Sequence, residues 1–324
     1  MSYAFSQLLD KVNAHIESLD YARQPMNLYE PVKYILSLGG KRIRPAMMLM
    51  AYNMFRDDVE KILDPALALE IYHNFTLLHD DLMDNADVRR GKPSVYAKWG
   101  GNVALLSGDA MLITAYKSLA KISSERLPKV MNIFSDMALA VCEGQQYDMD
   151  FETMDKVSVE EYMQMIERKT SALLSGSAMI GATMAGAAEE DIKKIYRFAT
   201  ELGLAFQLQD DVLDSFGDNA LGKKIGGDIL EGKQTFLMVQ AMSRADATQR
   251  EVLRTTHRDD NLTDEQKIAN VKALYDALDV KHIAEQQIEL RFERALNILD
   301  TLSIDAERVA PLVEFARNLM GRKK

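Results

Sequence analysis

Cysteine is almost absent from this chain, and its scarcity excludes one class of fold. The single cysteine, Cys142, cannot form an internal disulfide, so a framework held together by disulfides is excluded. A chain with one thiol also fits the reducing conditions of the cytosol. We therefore predict a cytoplasmic location.

Residues that break helices are also scarce. The 324 residues include 7 prolines and 17 glycines, against 19 methionines, and this composition favours helices over sheets. Apolar residues recur with the 3.6-residue period of an α-helix, whereas period-2 alternation is hard to find. The periodic segments are 61–84, 126–149, 160–186, 190–216 and 263–300. The sequence predicts an all-α fold.

Three residue pairs have the spacing of a capping box, which marks the start of a helix. They are Ser158 with Glu161, Asp228 with Glu231, and Thr263 with Gln266. Small residues cluster at 172–188, as they do where helices approach closely. No Ser/Gly/Pro linker interrupts the chain, so we predict one helical domain over residues 1–324.

Long hydrophobic runs are missing as well. No stretch approaches the roughly 18 uninterrupted apolar residues that suggest a membrane span, and we expect no stable membrane insertion. The first 20 residues carry acids and polar side chains instead of a basic start followed by an apolar run. A secretory signal is therefore not expected.

Positive charge is in deficit, since 39 Lys and Arg face 49 Asp and Glu and the net charge is −10. Binding of nucleic acid through bulk positive charge is not expected. An anionic ligand must instead meet local clusters of Lys and Arg, or metal ions that the acidic side chains hold.

The acidic residues form two motifs of identical spacing, DDLMD at 80–84 and DDVLD at 210–214. Residues i and i+4 share a helix face, so the first and third aspartates of a motif point the same way. The second lies about 100° further round. The first and third aspartates are Asp80, Asp84, Asp210 and Asp214, and the second are Asp81 and Asp211.

Carboxylates aligned on two facing helices would repel one another unless cations lay between them. Oxygen ligands without cysteine, and with few histidines, favour a hard ion, and Mg²⁺ fits best. Because Mg²⁺ is bound through a few carboxylates together with substrate phosphates, the motifs predict a phosphorylated substrate.

Clusters of basic residues accompany the motifs and suit two phosphate groups, one neutralised by metal and one by Lys and Arg directly. In "GGKRIRP" two glycines let the backbone turn and leave amides for an anion. The basic residues are Lys41, Arg42, Arg44, Arg89, Arg90, Lys223, Lys224 and Lys233. For Lys223 and Lys224 a solvated surface run is the alternative interpretation.

Taken together, these residues resemble the trans-type (E)-isoprenyl diphosphate synthases of the polyprenyl synthetase family. The resemblance runs from about residue 30 to 240, with the motifs in family order. They are "GGKRIRP" (39–45), "EIYHNFTLLHDDLMDNADVRRGKPS" (70–94), "GD" (108–109), "KT" (169–170), "FQLQDDVLD" (206–214) and "GKKIGGDILEGKQT" (222–235). The resemblance implies a helical bundle of the isoprenoid synthase type with a central apolar cavity. It also implies a homodimer and a transferase that condenses isopentenyl diphosphate with dimethylallyl, geranyl or farnesyl diphosphate.

The resemblance also implies roles for individual residues. Three Mg²⁺ ions around the allylic diphosphate would be bound by Asp80, Asp84 and Asp210, supported by Asp81, Asp211 and Asp214. The same diphosphate would be contacted by Arg89, Lys169 and one of Lys223 and Lys224, while Lys233 matches the family's second lysine. The diphosphate of isopentenyl diphosphate would be held by Lys41, Arg44, His73 and Arg90. The reacting centre would be lined by Thr170 and Gln207.

The aromatic residues before the first motif allow a prediction of the chain length of the product. Phe75 lies five residues before Asp80, roughly 7.5 Å along a helix, and Tyr72 lies deeper. A large ring there would close the path of the growing chain, although an ordinary core phenylalanine is the alternative. Thr76 makes the floor a single aromatic instead of a pair, which within the family resembles a C20 synthase more than a C15 synthase. We predict geranylgeranyl diphosphate, with farnesyl diphosphate as the alternative.

Other classes of protein share parts of this pattern. A class I terpene cyclase uses the same ionisation, but it has no second diphosphate for Lys41, Arg44 and His73 to hold. A regulatory subunit of a hetero-oligomeric prenyl synthase tends to lose aspartates from one motif, and both motifs are whole here. Glu70-x-x-His73 also matches ferritin-like di-iron bundles, but none of the other four histidines has a glutamate three residues before it.

Overall fold

The computed structural model describes residues 3–21, 23–122, 125–217 and 225–321. Within these ranges the chain is helical apart from one pair of two-residue strands. The helices are α1 (Phe5–Glu17), α2 (Met26–Ser37), α3 (Ile43–Asn53), α4 (Leu63–Met83), α5 (Val95–Trp99), α6 (Gly101–Leu119), α7 (Leu127–Phe151), α8 (Val159–Ile166), α9 (Ala172–Ala185), α10 (Glu189–Phe216), α11 (Gly227–Glu231), α12 (Phe236–Arg244), α13 (Ala247–Thr255), α14 (Asp264–Ala277), α15 (Val280–Leu299) and α16 (Ala306–Met320). The prediction of an all-α fold is confirmed.

Three short segments extend the helices, and two strands form a small hairpin. The segments are the 3₁₀ turns Val59–Ile62 and Thr256–Arg258 and the π-helical turn Glu167–Ser171. The strands β1 (Val88–Arg89) and β2 (Lys92–Pro93) are antiparallel, with Val88 opposite Pro93. No helix in the described part of the chain combines the length and apolarity that crossing a membrane requires.

The chain divides into two compact units, each built from several segments. Unit 1 is Met1–Asp136, Gly176–Tyr196 and Leu302–Phe315, and unit 2 is Met137–Ser175, Arg197–Thr301 and Ala316–Lys324. The first aspartate motif belongs to unit 1 and the second to unit 2. The prediction of one domain stays a prediction.

The core of unit 1 is centred on α3 and α4. Ten of the 11 residues of α3 are buried, as expected for a helix that is apolar all round. At Gly181 of α9 an added Cβ would overlap the carbonyl oxygen of Met48 in α3. This contact accounts for the glycine at 181 among the small residues at 172–188, because only a residue without a side chain lets the two backbones approach so closely.

The core of unit 2 surrounds the end of α10. Tyr162 of α8, Phe236 of α12 and Tyr275 of α14 are buried there beside Leu208 of α10. α12 packs against α8, α13, α14 and α15. The second aspartate motif is therefore set on a helix whose opposite side is fixed in an aromatic and aliphatic core.

Two periodic segments are interrupted in ways that the pattern did not indicate. The segment 160–186 is broken by the π-helical turn, and 263–300 is broken where Asp279 adopts a left-handed conformation with φ 55°. The capping boxes at Ser158 and Thr263 are confirmed. The one at Asp228 is wrong, because α11 begins after Gly226 and places Asp228 inside its first turn.

Candidate active site

The first aspartate motif forms the C-terminal end of α4. Asp84 caps the helix with φ −82° and ψ −2°, and its N–H donates to the carbonyl oxygen of Asp80 at 2.9 Å. Helical geometry thus continues through the motif and keeps Asp80 and Asp84 on one face. Asn85 ends the helix by adopting φ 50°, a conformation that asparagine tolerates better than most residues.

Asp81 has a different environment, because it is buried and engaged by Arg89. The Arg89 Nε donates to Asp81 Oδ1 at 2.9 Å, and an Nη group donates to the same oxygen. Burial raises the pKa of Asp81, and the Arg89 guanidinium opposes that rise. Arg89 reaches back to α4 because it lies on β1, in a hairpin that turns through Arg90 and Gly91, both with positive φ. The hairpin therefore fixes Arg89 beside the motif.

The loop before α3 meets the same hairpin. Arg90 donates to the carbonyl oxygen of Gly39, and a side chain at Gly40 would overlap the Arg90 guanidinium. Both glycines have positive φ, so the loop needs residues without a Cβ. Arg42 is hydrogen-bonded to other groups of the protein. Its Nη1 donates to Glu70 at 2.6 Å, and its Nη2 donates to the carbonyl oxygen of Leu36 at 2.7 Å. These bonds of Arg42 stabilise the loop before α3.

His73 of α4 lies among arginines. Burial lowers the pKa of His73 well below its ordinary value, and Arg44, Arg90, Arg89 and Arg42 lower it further. The imidazole is therefore neutral near pH 7 and can both donate and accept a hydrogen bond. A neutral hydrogen-bonding ring in a cationic environment is suited to an anion such as a diphosphate.

The second motif lies in the last two turns of α10, and its middle aspartate is the most enclosed. Asp211 is buried and accepts hydrogen bonds from the Tyr162 hydroxyl, from Gln207 Nε2 at 2.9 Å and from the Phe236 N–H at 3.0 Å. Burial raises the pKa of Asp211 to about 6, although all three donors oppose the rise. The middle aspartate of each motif is thus held by groups of the protein, and the flanking pairs are less buried.

Lys169 and Thr170 lie in the π-helical turn between α8 and α9. Lys169 forms an ion pair with Asp148 at 2.5 Å, and the Thr170 hydroxyl donates to Gln207 Oε1 at 2.9 Å. The turn packs directly against α7, because a Cβ at Gly144 would overlap the backbone nitrogen of Lys169. Single π turns inside helices often occur at functional sites. Hydrogen bonds run without a break from Thr170 through Gln207 to Asp211.

Lys233 lies in the turn after α11. Its N–H donates to the carbonyl oxygen of Asp228 at 2.9 Å, and its Nζ lies 3.4 Å from a carboxylate oxygen of Glu231. The N–H of Asp228 in turn donates to Asp214 Oδ2 at 3.1 Å. The turn therefore connects Lys233 to the second motif through α11. Lys223 and Lys224 lie outside the described residues.

Comparisons with known proteins agree with this arrangement. The family model described as Polyprenyl synthetase matches residues 25–278. This chain belongs to the polyprenyl synthetase family. It is 40% identical to a short chain isoprenyl diphosphate synthase from Methanocaldococcus jannaschii, over 80% of this chain and 79% of that protein. It is 41% identical to a geranylgeranyl diphosphate synthase from Methanosarcina mazei, over 72% and 73%.

A solved structure of a geranylgeranyl pyrophosphate synthase also superposes closely. It shares 41% sequence identity and a TM-score of 0.92, over 99% of this chain and all of that one. As a member of the polyprenyl synthetase family with relatives of this similarity, the chain is an enzyme that transfers prenyl groups.

Enzymes of the polyprenyl synthetase family are generally Mg²⁺-dependent. Among the described residues no three His, Cys, Asp or Glu side chains are grouped closely enough to hold a metal ion alone. In each motif the first and third carboxylates are more exposed than the middle one. Such a donor set fits Mg²⁺, which is usually bound through one or two carboxylates and completed by water and substrate phosphates.

Asp228 supports the same conclusion in unit 2. Burial and the carboxylates of Asp214 and Asp211 raise the pKa of Asp228 to about 7, so negative charge is concentrated at the end of α10. A cation bound there would relieve this repulsion. From the sequence, Asp228 was predicted only as a helix cap. Its place in "GGDILEGK", five residues before the family's second lysine, was the available signal.

The aromatic residues before the first motif form a cluster within unit 1. Tyr72 is 1% exposed and Phe75 9% exposed, and their ring centroids lie 5.5 Å apart. The ring centroid of Phe134 lies 5.3 Å from that of Tyr72, and the ring centroid of His79 lies 4.6 Å from that of Phe75. The Thr76 hydroxyl donates to the His73 carbonyl oxygen at 2.8 Å. This packing is compatible with a floor for the growing chain and with an ordinary core.

Several groups that hold the site were not predicted from the sequence. Tyr162 and the Phe236 N–H support Asp211, and Asp148 pairs with Lys169. Tyr162 lies 49 residues from Asp211 along the chain, so no local spacing marks the contact. The sequence also grouped Arg42 with Lys41 and Arg44, without a signal that Arg42 pairs with Glu70.

Proposed function

We propose that this enzyme condenses isopentenyl diphosphate with allylic diphosphates, from dimethylallyl to farnesyl, and releases geranylgeranyl diphosphate. The observation that carries the proposal is the shared design of the two motifs, in which the middle carboxylate is buried and hydrogen-bonded by the protein and the first and third are more exposed. The names of the relatives support the C20 product over farnesyl diphosphate.

We assign three Mg²⁺ ions to Asp80, Asp84 and Asp210. When bound, Mg²⁺ would neutralise the leaving diphosphate and so favour cleavage of the allylic C–O bond. In their supporting role, Asp81 holds Arg89 and Asp211 holds Gln207, while Asp214 accepts from Asp228. The arrangement keeps donor groups fixed before the substrate arrives, which is how electrostatic catalysis is achieved.

The cationic residues divide between the two substrates. The charge that develops on the allylic diphosphate as its C–O bond breaks is balanced by Arg89, Lys169 and one of Lys223 and Lys224, with Lys233 as the second lysine of the family motif. The isopentenyl diphosphate is held by Lys41, Arg44, His73 and Arg90. Its double bond then forms the new C–C bond with the allylic cation, and the departing diphosphate accepts the proton whose loss restores a double bond. Thr170 and Gln207 position the reacting carbons through the hydrogen bond that joins them.

The direct test is a product assay. The purified protein is incubated with Mg²⁺, isopentenyl diphosphate and each of dimethylallyl, geranyl and farnesyl diphosphate, and the dephosphorylated alcohols are separated by chromatography. We expect geranylgeraniol from all three starters. Turnover of an allylic diphosphate without isopentenyl diphosphate would indicate a terpene cyclase, and no turnover without a second protein would indicate a regulatory subunit.

The proposal includes a homodimer, because α6 presents apolar side chains to solvent. Leu106 is 59% exposed and Ile113 60% exposed, and their spacing of seven places them on one helix face. Leu105 beside them is also exposed. An exposed apolar stripe of this kind usually marks a contact with another protein. The cytoplasmic location stays a prediction.

A further inference from the structure

Unit 2 contains a cavity of about 800 Å³ to which the proposed function assigns no role. Its walls are the loop 152–159, the helices α12 and α13, and the 3₁₀ turn Thr256–Arg258. None of the residues assigned to the two diphosphates lines it. The volume lies within the range of about 300–1,000 Å³ that small-molecule sites occupy.

Four cations line the cavity. Arg250 and Arg254 of α13 and Arg258 of the 3₁₀ turn follow at intervals of four, and Lys156 lies in the loop. Within the described residues none of the four has a carboxylate at ion-pair distance. Arg250 is oriented by a hydrogen bond from its Nε to the carbonyl oxygen of Met242 at 3.0 Å.

The charge of the lining is positive although the chain is acidic. Glu152 and Asp155 are the acidic residues of the lining, against the four cations. His257 adds no charge, because burial and the nearby Arg258 and Lys267 lower its pKa. In a chain with a net charge of −10, a local excess of arginine is a site for an anion.

The remaining lining is apolar and rich in methionine. Met238 and Met242 of α12, Leu253 of α13 and Val157 of the loop contribute to it. Methionine side chains adapt to the shape of an apolar ligand because they are unbranched and flexible. A free inorganic anion would leave this surface without a partner.

We propose that the cavity binds a phosphorylated amphiphile, with a phosphate or diphosphate head at the arginines and a prenyl chain on the methionines. The position of the cavity also predicts an effect on turnover. Gly232 and Gln234 line it, and Lys233 lies between them, so an occupant contacts the turn that carries Lys233. An occupant is therefore expected to change kcat in the product assay, an extension that rests on the proposed function.

Calorimetric titration of the full chain with farnesyl monophosphate, in buffer with EDTA, tests the binding. Chelation removes the divalent ions that the proposed active site uses. We expect one molecule bound per chain, and at least tenfold weaker binding by Arg250→Glu/Arg254→Glu. Arg244→Glu, which changes an exposed arginine outside the cavity, and Arg44→Glu, which alters the proposed active site, should both bind as the unmodified protein does.

Each alternative has a distinct outcome. Loss of binding in Arg44→Glu alone would place the ligand in the active site and overturn the proposal. Inorganic phosphate or farnesol binding as tightly as the complete ligand would also overturn it, as would absence of binding. If circular dichroism shows that the double variant is unfolded, Arg250→Gln/Arg254→Gln replaces it with the same expectation. Turnover is measured separately, so an inactive chain that binds the ligand contradicts the proposed function and not this inference.

Discussion

At the scale of single residues, the first aspartates of the motifs differ from the middle ones in what their loss should do. Asp80 and Asp210 are only partly buried, so replacing either with alanine removes a proposed metal ligand and disturbs little packing. We expect Asp80→Ala and Asp210→Ala each to lower kcat by a factor of about 10² or more, with the melting temperature within a few degrees of the original. Near-normal turnover in either variant would contradict the assignment.

In the proposed mechanism Tyr162 acts on the reacting centre through Asp211. Removing its hydroxyl in Tyr162→Phe deletes one hydrogen bond to a buried carboxylate, which costs about 1.5–3 kcal/mol. It also loosens Asp211 and therefore Gln207, so we expect kcat to fall while KM for isopentenyl diphosphate changes little. Urea unfolding and steady-state kinetics measure the two effects.

The matched control for this variant is Tyr147→Phe. Tyr147 is exposed, and its ring contact with Arg168 survives the loss of the hydroxyl. Both kcat and stability should therefore stay unchanged in the control. A Tyr162→Phe variant with reduced stability but full kcat would show that Tyr162 is structural only.

Phe75 decides product length if its ring closes the path of the growing chain. In Phe75→Ala the cluster with Tyr72 and His79 loses its central ring, so we expect alcohols longer than C20 in the chromatographic assay. Phe55→Ala, which changes a half-buried aromatic outside the cluster, should leave the product unchanged. An unaltered profile in Phe75→Ala would assign this ring to the core alone.

At the scale of helices, the close approach of α7 to the π-helical turn makes a specific prediction at Gly144. Alanine is favoured over glycine in a helix interior by about 1 kcal/mol, so Gly144→Ala should be stabilising if propensity alone mattered. We expect the reverse, a loss of about 1–3 kcal/mol, because the new methyl group displaces Lys169. Urea unfolding gives the sign, and a stabilised variant would contradict the contact. Turnover of the Gly144→Ala variant should also fall, because the displacement of Lys169 moves the neighbouring Thr170.

Local features of the sequence predicted the helices that carry both motifs. The periodic segment 190–216 corresponds to α10, which begins one residue earlier, and the i, i+4 spacing of the aspartates follows from helical geometry. The π-helical turn could not be predicted, because it depends on contacts of Lys169 with Gly144 and of Ser171 with Gly203, which are far apart in sequence. The break at Asp279 likewise depends on a backbone conformation that apolar periodicity does not encode.

The sequence predicted the residue types of the candidate site, but it could not predict which of these side chains bind one another or other protein groups. Motif spacing and the resemblance to the family predicted which side chains would meet a diphosphate. They could not indicate that Arg42 forms an ion pair with Glu70, which lies 28 residues further along the chain. Nor could they separate the middle aspartates as anchored residues, because burial is decided by the tertiary fold. The roles of these residues rest on the resemblance to the family and stay predictions.

At the scale of the whole molecule, the apolar stripe on α6 predicts self-association. Two acidic chains repel each other, so a stable dimer requires apolar burial to exceed that repulsion. We expect light scattering to give twice the chain mass of 36.5 kDa. Leu106→Glu/Ile113→Glu introduces two charges into the stripe and should shift the protein to the monomer mass. Met26→Glu changes another exposed apolar residue outside α6 and should remain dimeric. A double variant that keeps the dimer mass would place the interface elsewhere, because a buried unpaired carboxylate at each of two contact positions is too costly to retain.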